Sequence, residues 1–366
     1  MGRCVGLLLV VAGASGSCRS DEDCSLNGEC QGALCACDPG WTGPACGLLD
    51  LAPAPVVGAY GFSPNVSSWG ASVLFRDGRY HMYASEMWNG CGIHSWQTNS
   101  HVVHATADTP SGPFAYADTA LPPFSHCNHV LVANQTIYLF HQGRSGDGSA
   151  AGLENCSGAD ENPRETWPPA PAHRIHASDS PGGPWRAAWF GPDFDCENPS
   201  PLALENGSVA LFCHGPGIRV AVAAAAGEPW SEPRVILAPG AAPKPDTVWE
   251  DPYAFLDKRG RWHLLSHVYP TDANSSRYND VVAGHAFSRD GLAWTFSAVE
   301  PWTSAVEGDD GEVRDYATRE RPFLLFDDAG DPVALYTAVT LPGHPKQSPE
   351  DYSFTHVQPV RGASGA

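Results

Sequence analysis

The hydrophobic pattern of the chain repeats five times. Each repeat has two short apolar runs, rich in Val, Ile, Leu, Phe and Tyr, with a polar turn between them. Such a pair is typical of a β-hairpin, and the hairpins recur roughly every 50 to 70 residues. The five predicted hairpins are Ala71–Ser85, Val130–His141, Pro201–His214, Tyr253–Val268 and Pro322–Val339.

A second repeat follows the hairpins in phase. Ala105–Asp108 leads into Gly112, Pro113 and Phe114, and Ala177–Asp179 leads into Gly183, Pro184 and Trp185; looser copies end at Trp230 and Trp294. Each copy predicts a third strand, a turn and the start of a fourth strand. Five units of four strands predict an all-β fold, a five-bladed β-propeller. Many short, evenly spaced strands would also suit a double β-sandwich, which stays open as the alternative.

The first residues have the pattern of a secretory signal peptide. One cation, Arg3, precedes the apolar stretch Val5–Ala12, and small residues follow. A buried N-terminal strand is the alternative, and no stretch is long enough to span a membrane. We therefore predict a secreted, extracellular protein without a transmembrane segment. The predicted domain boundaries are 1–17 for the signal peptide, 18–47 for a cysteine-rich module, 48–57 for a linker, 58–360 for the propeller and 361–366 for a flexible tail.

Charge and cysteine content narrow the possible partners. Asp and Glu outnumber Lys and Arg by 41 to 21, which gives a formal net charge of −20. Because phosphate backbones are bound by basic surfaces, nucleic acid is excluded as a partner, and a neutral carbohydrate is the better match to this charge.

Twelve cysteines in an exported chain predict disulfides. The Asn-x-Ser/Thr sequons predict N-glycosylation at Asn65, Asn134, Asn155, Asn206 and Asn274.

Six cysteines lie close together near the N-terminus, at Cys18, Cys24, Cys30, Cys35, Cys37 and Cys46. The segment has almost no apolar core, so cross-links must stabilise it. Six cysteines allow 15 connectivities. The spacing, with the run Cys35–Trp41, resembles the EGF-like module, and this resemblance implies the pairs Cys18–Cys30, Cys24–Cys35 and Cys37–Cys46. It also suggests a spacer that could contact another protein, without calcium.

Acidic residues open three of the predicted blades. Glu197 precedes Pro199, the pair Glu250 and Asp251 precedes Pro252, and Glu320 precedes Pro322. Because Pro suits the first position of a strand, the acids should lie at the mouth of the central channel. In this arrangement residues 58–360 resemble the five-bladed glycoside hydrolases of families 43, 32 and 68.

The resemblance implies hydrolysis of a neutral oligo- or polysaccharide by two carboxyl groups, one acting as acid and one as base or nucleophile. It places the acid at Glu197, and we expect the base at Asp251 or Glu320. Blades one and two open without a carboxylate, so a base elsewhere, such as Glu86, or no catalysis at all, stays possible. The alternative function is a non-catalytic carbohydrate-binding or adhesive propeller.

Other residues are also candidates for the predicted site. Aromatic and polar side chains suit a sugar, and the predicted substrate-binding residues are Trp69, Trp88, Trp96, Asn128, Glu250 and Arg321. The arginines at the start of blade five could instead form ion pairs between blades. Scattered histidines make an axial metal ion possible, but their spacing matches no known zinc motif, so we predict no metal and no cofactor. The sequence leaves the pairing of Cys91, Cys127, Cys156, Cys196 and Cys213 open.

Overall fold

The computed structural model of the protein is an all-β, five-bladed propeller preceded by a small disulfide-rich module, which confirms the predicted fold class. It describes residues 17–143, 156, 173–190, 194, 196–215, 217–238, 247–270, 282–341 and 351–362. The predicted signal peptide and two predicted sequons, Asn155 and Asn274, lie outside these ranges. The other three sequon asparagines, Asn65, Asn134 and Asn206, are exposed.

Each of the first four blades is an antiparallel sheet of four strands in sequence order, beginning at the axis. Blade one contains Ser68–Arg76, Arg79–Met87, Ser100–Ala107 and Ala115–Leu121, and blade two contains Ser125–Ala133, Thr136–Gly143, His173–Ser178 and Arg186–Phe190. Blade three contains Glu197–Ala203, Val209–Gly215, Gly217–Ala223 and Arg234–Leu237, and blade four contains Thr247–Leu256, Trp262–Pro270, Ala283–Ser288 and Thr295–Phe296. The innermost two strands of each blade form one of the predicted hairpins.

Blade five has three strands of its own, Thr318–Phe326, Pro332–Thr340 and Ser353–Pro359. Its outer edge is covered by the segment that precedes blade one: Tyr60 pairs with Thr355, and Leu51 pairs with Val360. The start of the propeller thus closes its end, which leaves no long open edge on the last blade. The predicted linker is therefore hydrogen-bonded along blade five.

Short elements fill the connections. The loop between the second and third strands of blade one holds two 3₁₀ turns, Trp88–Gly90 and Ile93–Ser95, and one helical turn, Trp96–Asn99. A two-stranded hairpin, Ala305–Glu307 with Val313–Asp315, lies between blades four and five. None of the helices in the described ranges has the length and hydropathy needed to cross a membrane.

The N-terminal module has the secondary structure expected of cross-linked loops. A 3₁₀ turn at Asp21–Cys24 precedes the hairpin Gly28–Gln31 with Leu34–Cys37, and a second small ladder joins Trp41–Thr42 to Leu48–Leu49. The disulfides are Cys18–Cys30, Cys24–Cys35 and Cys37–Cys46, the pairing that the EGF-like resemblance implies.

The module packs against the hairpin ends of blades four and five. Arg261, in the hairpin of blade four, pairs with Asp21 at 2.7 Å, and Arg259 pairs with Asp38. Trp41 is buried and stacks on His285, with ring centroids 5.4 Å apart. Since the innermost strands run from the channel mouth to these hairpins, the module lies at the end of the propeller opposite the acidic strand starts.

Two further disulfides lie within the propeller. Cys91 is joined to Cys156, which links the blade-one loop to the segment between strands two and three of blade two. Cys196 is joined to Cys213 across the innermost hairpin of blade three. Cys127 is the cysteine of the described residues that keeps its thiol, and it is buried. Disulfides in this number are typical of proteins from oxidising compartments.

Removing the blade-three disulfide should destabilise the propeller. The bridge closes a loop with a sequence separation of 17 residues, and a loop of that size restricts the unfolded chain by about 3 kcal/mol. We expect the double variant Cys196→Ala, Cys213→Ala to unfold at a correspondingly lower urea concentration. An unchanged midpoint would show that the bridge contributes nothing to stability.

Candidate functional site

All five innermost strands bend at the same place. Near its start each strand carries a β-bulge whose central residue has a positive φ, and the register with the second strand shifts there. The five bulge residues, from blade one to blade five, are Gly70 (φ 63), Cys127 (51), Asn198 (51), Asp251 (52) and Arg321 (56). Bulges are frequent next to active sites because they redirect side chains. We call these five residues the bulge ring.

The residue before each bulge forms a second ring with a pronounced asymmetry. Blades one and two contribute Trp69 and His126, whereas blades three, four and five contribute Glu197, Glu250 and Glu320. The side chains of Glu197 and Glu250 are 46% and 28% exposed, but that of Glu320 is only 3% exposed. Two accessible carboxyl groups therefore lie on neighbouring blades at the channel mouth.

Glu197 has a histidine beside it. His214 is opposite Glu197 in the ladder of blade three, and its Nδ1 lies 3.4 Å from Glu197 Oε2. Burial alone would lower the pKa of His214, but the contact with Glu197 and the charges of Glu250, Glu197 and Asp251 outweigh it and raise this pKa. The pair therefore holds a proton at the mouth.

A second histidine, His267, lies close to both Glu250 and Glu320. His267 is opposite Glu250 in the ladder of blade four, and its Nδ1 lies 4.0 Å from Glu250 and 3.7 Å from Glu320. Tyr269 lies next to it, with ring centroids 5.1 Å apart. Burial, followed by the charges of the neighbouring carboxylates, raises the pKa of Tyr269, so its hydroxyl stays protonated and can donate a hydrogen bond.

Three of these groups have the geometry of a possible cation site. Asp251, His267 and Glu320 are buried, and their ligand atoms all lie within 4.8 Å of one another. Oxygen and imidazole ligands of this kind could hold a divalent ion. However, Arg321 already binds Asp251: the guanidinium Nη1 lies 3.3 Å from Oδ1, and the backbone N–H donates to Oδ2 at 3.2 Å.

The three tryptophans predicted to bind substrate differ in exposure and contacts. Trp96 is half-buried, and its ring lies 4.9 Å from that of His126, whose Nδ1 lies 2.7 Å from the Ser100 hydroxyl. Trp88 is 38% exposed and meets His101 edge to face. Trp69 is buried in an apolar cluster with the blade-one loop. Trp96 is therefore the predicted tryptophan that best lines the mouth.

Two other candidate residues are hydrogen-bonded to neighbouring segments. Asn128 is buried and hydrogen-bonded to Ser72, so it joins blade two to blade one. Glu86, the alternative base, faces Tyr60, whose hydroxyl donates to its carboxylate at 2.5 Å. Burial raises the pKa of Glu86, although the Tyr60 hydrogen bond opposes this. Glu86 pairs with Ser68, the first residue of the innermost blade-one strand, while Tyr60 lies on the segment that closes blade five.

Sequence reasoning did not assign His214 and His267 as partners of the acids. Counting back from each turn places Glu197 opposite Gly215 and Glu250 opposite Val268, one residue past the histidines that they actually face. The bulge adds residues to the innermost strand only, so the count is ambiguous without the structure. The pairing therefore depends on the bulge.

A buried histidine below the mouth makes stability dependent on pH. Burial, reinforced by the charge of Arg321, lowers the pKa of His129 to about 3. The unfolded chain takes up this proton below its usual pKa of roughly 6.5, whereas the folded chain does not. Stability is thus fully present above that pH and is lost as the pH falls towards 3.

We expect His129→Phe to reduce this acid sensitivity. The phenyl ring keeps the stack on Tyr253, where the ring centroids lie 5.6 Å apart, but it does not titrate. Between pH 7 and pH 4.5 the native protein should lose about 2–3 kcal/mol more unfolding free energy than the variant. Urea unfolding at the two pH values measures this, and equal losses would contradict it.

Comparison with known proteins agrees with this architecture. A sequence profile of the Teneurin-like EGF domain matches residues 20–48. No curated protein matches the chain. Solved structures with the same fold include a thermostable family-43 glycoside hydrolase, with 12% identity and a TM-score of 0.54; the match covers 86% of this chain and 97% of that one.

Two further structures share the fold. A family 117 glycoside hydrolase from the marine bacterium Zobellia galactanivorans has 14% identity and a TM-score of 0.53, over 86% of this chain and 90% of that one. The α-L-arabinofuranosidase PaAbf62A of Podospora anserina, solved with cellotriose, has 11% identity and a TM-score of 0.57, over 84% and 95%. The chain thus joins a segment that matches an EGF-domain profile to a five-bladed propeller whose fold is similar to that of these glycoside hydrolases.

Proposed function

We propose that the protein is a secreted glycoside hydrolase that cleaves a neutral oligo- or polysaccharide at the mouth of the propeller. The observation that supports this most is the pair of accessible carboxyl groups, Glu197 and Glu250, at equivalent positions of neighbouring blades. Hydrolysis of a glycosidic bond requires two carboxyl groups that flank it. The fold shared with glycoside hydrolases agrees with this.

In this proposal Glu197 is the proton donor. The proton held between Glu197 and His214 passes to the glycosidic oxygen as the bond from that oxygen to the anomeric carbon breaks. His214, close behind Glu197, can then return a proton to the Glu197 carboxylate, and solvent, which receives the proton taken from the attacking water, reprotonates His214. This role is the one that sequence resemblance implies for Glu197.

Glu250 is the second carboxylate in the proposal. Ionised, it takes a proton from the attacking water or attacks the anomeric carbon itself, and the separation of the two carboxyl groups in the sugar complex decides which. Asp251 and Glu320, the two bases expected from sequence, are 4% and 3% exposed and lie against Arg321 and His267. Their burial suits positioning of the site better than contact with water.

Sugar rings would stack on the aromatic side of the mouth. Trp96 offers a half-buried indole beside His126, and a sugar presents an apolar face to such a ring while its hydroxyls accept or donate hydrogen bonds. The overall negative charge of the protein disfavours a strongly anionic glycan. A neutral glycan is therefore the proposed substrate class.

Carbohydrate binding without turnover is the second candidate. It is favoured by one observation: the residues before the bulges of blades one and two are Trp69 and His126, so neither blade contributes a carboxylate to that ring. In that case the EGF-like module would hold a lectin-like propeller near its target. The module contacts blade four, so it would present the propeller rigidly.

One screen separates the two functions. The purified, secreted protein is incubated with aryl glycosides and plant and algal oligosaccharides, while saturation-transfer NMR detects which glycans bind. Release of reducing ends supports the hydrolase. Binding of intact glycan without release supports the lectin-like function, and the absence of both would overturn the proposal of a carbohydrate site.

A further inference from the structure

One member of the bulge ring lacks a side chain, and a neighbour occupies the space. Gly70 has φ +63, and a Cβ built on it would lie 2.7 Å from the Cβ of Arg321 and 3.2 Å from its Cγ. That separation is shorter than any ordinary carbon contact, so no larger residue fits at position 70 while Arg321 is in place. The first carbons of the Arg321 side chain, from blade five, therefore occupy the space that a side chain at position 70 of blade one would need.

From there Arg321 reaches the other blades around the axis. Its backbone N–H and its Nη1 both bind Asp251 of blade four, at 3.2 and 3.3 Å. Its charge acts on Cys127 and His129 of blade two. Only a tenth of its side chain is exposed, and Asp251 is 4% exposed. A buried carboxylate of this kind needs a cation close by.

We propose that Arg321 is the positioning residue of the candidate site, completing the bulge ring in place of a blade-one side chain and fixing Asp251 at the axis. Arg321 acts through Asp251 and not as an acid or base, because its guanidinium stays charged at all relevant pH values. Gly70 and Arg321 are sterically coupled, because position 70 accepts no larger residue while Arg321 is in place. The expected effect of Arg321 on glycan binding rests on the proposed function. The steric coupling of Gly70 and Arg321 does not.

The first test is a double-mutant cycle on thermal stability. Gly70→Ala places a methyl group against Arg321, while Gly78→Ala is the matched control, since Gly78 has a similar φ of +78 in the same blade but nothing within 4 Å of its Cβ position. We expect Gly70→Ala to lower Tm by several degrees more than Gly78→Ala. In an Arg321→Gly background this excess should disappear. Equal losses in both backgrounds would overturn the inference.

The second test asks whether the charge of Arg321 matters. Arg321→Met keeps most of the volume but leaves Asp251 without its cation, so Tm should fall by several degrees at pH 7. Asp251→Asn added to Arg321→Met should restore Tm. A double variant no more stable than Arg321→Met would mean that Arg321 only fills space.

Other charged groups face the same pair and must be accounted for. Glu250, Glu320 and His267 lie beside Asp251 from blades four and five, His214 faces Asp251 from blade three, and His129 faces Arg321 from blade two. These groups are present in every variant. Their charges therefore cancel when Arg321→Met is compared with its Asp251→Asn double variant.

The third test concerns the sugar. Arg321→Lys keeps a cation next to Asp251 but changes its position, so we expect a near-native Tm together with at least a tenfold weaker saturation-transfer signal from methyl glycosides. A native signal in this variant would overturn the positioning role. If the wild-type protein binds no methyl glycoside, the proposed function fails, whereas the stability cycle still decides the dependence of Gly70 and Arg321.

Discussion

We expect Glu197→Gln to lower the rate of glycan hydrolysis by at least about 100-fold. The amide cannot donate the proton that the leaving oxygen needs, and general acid catalysis commonly contributes 10² to 10⁴ in rate. The variant should keep its affinity for the glycan, because a Gln side chain still makes hydrogen bonds. Initial rates and saturation-transfer signals on the same glycan separate the two effects.

Glu250→Gln should cause a loss of similar size, since the amide is neither a base nor a nucleophile. Glu205→Gln is the matched control: Glu205 is exposed in the hairpin turn of blade three, at the far end of the strand that begins with Glu197. It should keep the native rate. Full activity in Glu197→Gln would remove this residue from the chemistry. Loss in Glu250→Gln alone would mean that the proton donor lies elsewhere.

Trp41→Ala should be among the most destabilising single substitutions in the module. The indole is 8% exposed and stacks on His285 of blade four at an interplanar angle of 30°. Truncating a buried Trp to Ala commonly costs about 3–5 kcal/mol, because it removes apolar burial and leaves a cavity. A large drop in the urea midpoint, followed by fluorescence and circular dichroism, is the expected result.

Two controls show whether this effect comes from the interface. Trp88→Ala removes an indole that is 38% exposed, so its cost should be well below that of Trp41→Ala. Arg289→Ala breaks the pair with Glu22, but Arg289 is 53% exposed, and exposed pairs contribute about 0–1 kcal/mol. If Trp41→Ala proved as mild as these two, the module would not stabilise the propeller.

The interface also changes what the module can do. A free spacer would let the propeller move, whereas Arg259 and Arg261 bind carboxylates and backbone carbonyls of the module. Since these contacts lie at the hairpin end, they leave the mouth with Glu197 and Glu250 uncovered. We infer that the module does not contribute to sugar recognition.

The structure agrees with the predictions that rest on local sequence patterns. The five hairpins follow from alternating runs and turn residues, and the cross-linked module follows from cysteine spacing. Pro199 led to Glu197 being placed at a strand start, and the strand does begin at Glu197, although Pro199 itself lies in the bulge. Each of these inferences needs only residues close together in the chain.

What the sequence by itself determined is the five-bladed architecture, the cross-linked N-terminal module and the acids at the strand starts. What only the tertiary structure decided is which acids are accessible, that Arg321 occupies the space beside Gly70, and that the module docks on blade four. The physical reason is distance along the chain: Arg321 meets Asp251 and Gly70, and Arg259 meets Asp38, across separations of 70 residues or more. No local periodicity encodes such contacts, because they depend on bulge geometry and on how the blades close around the axis.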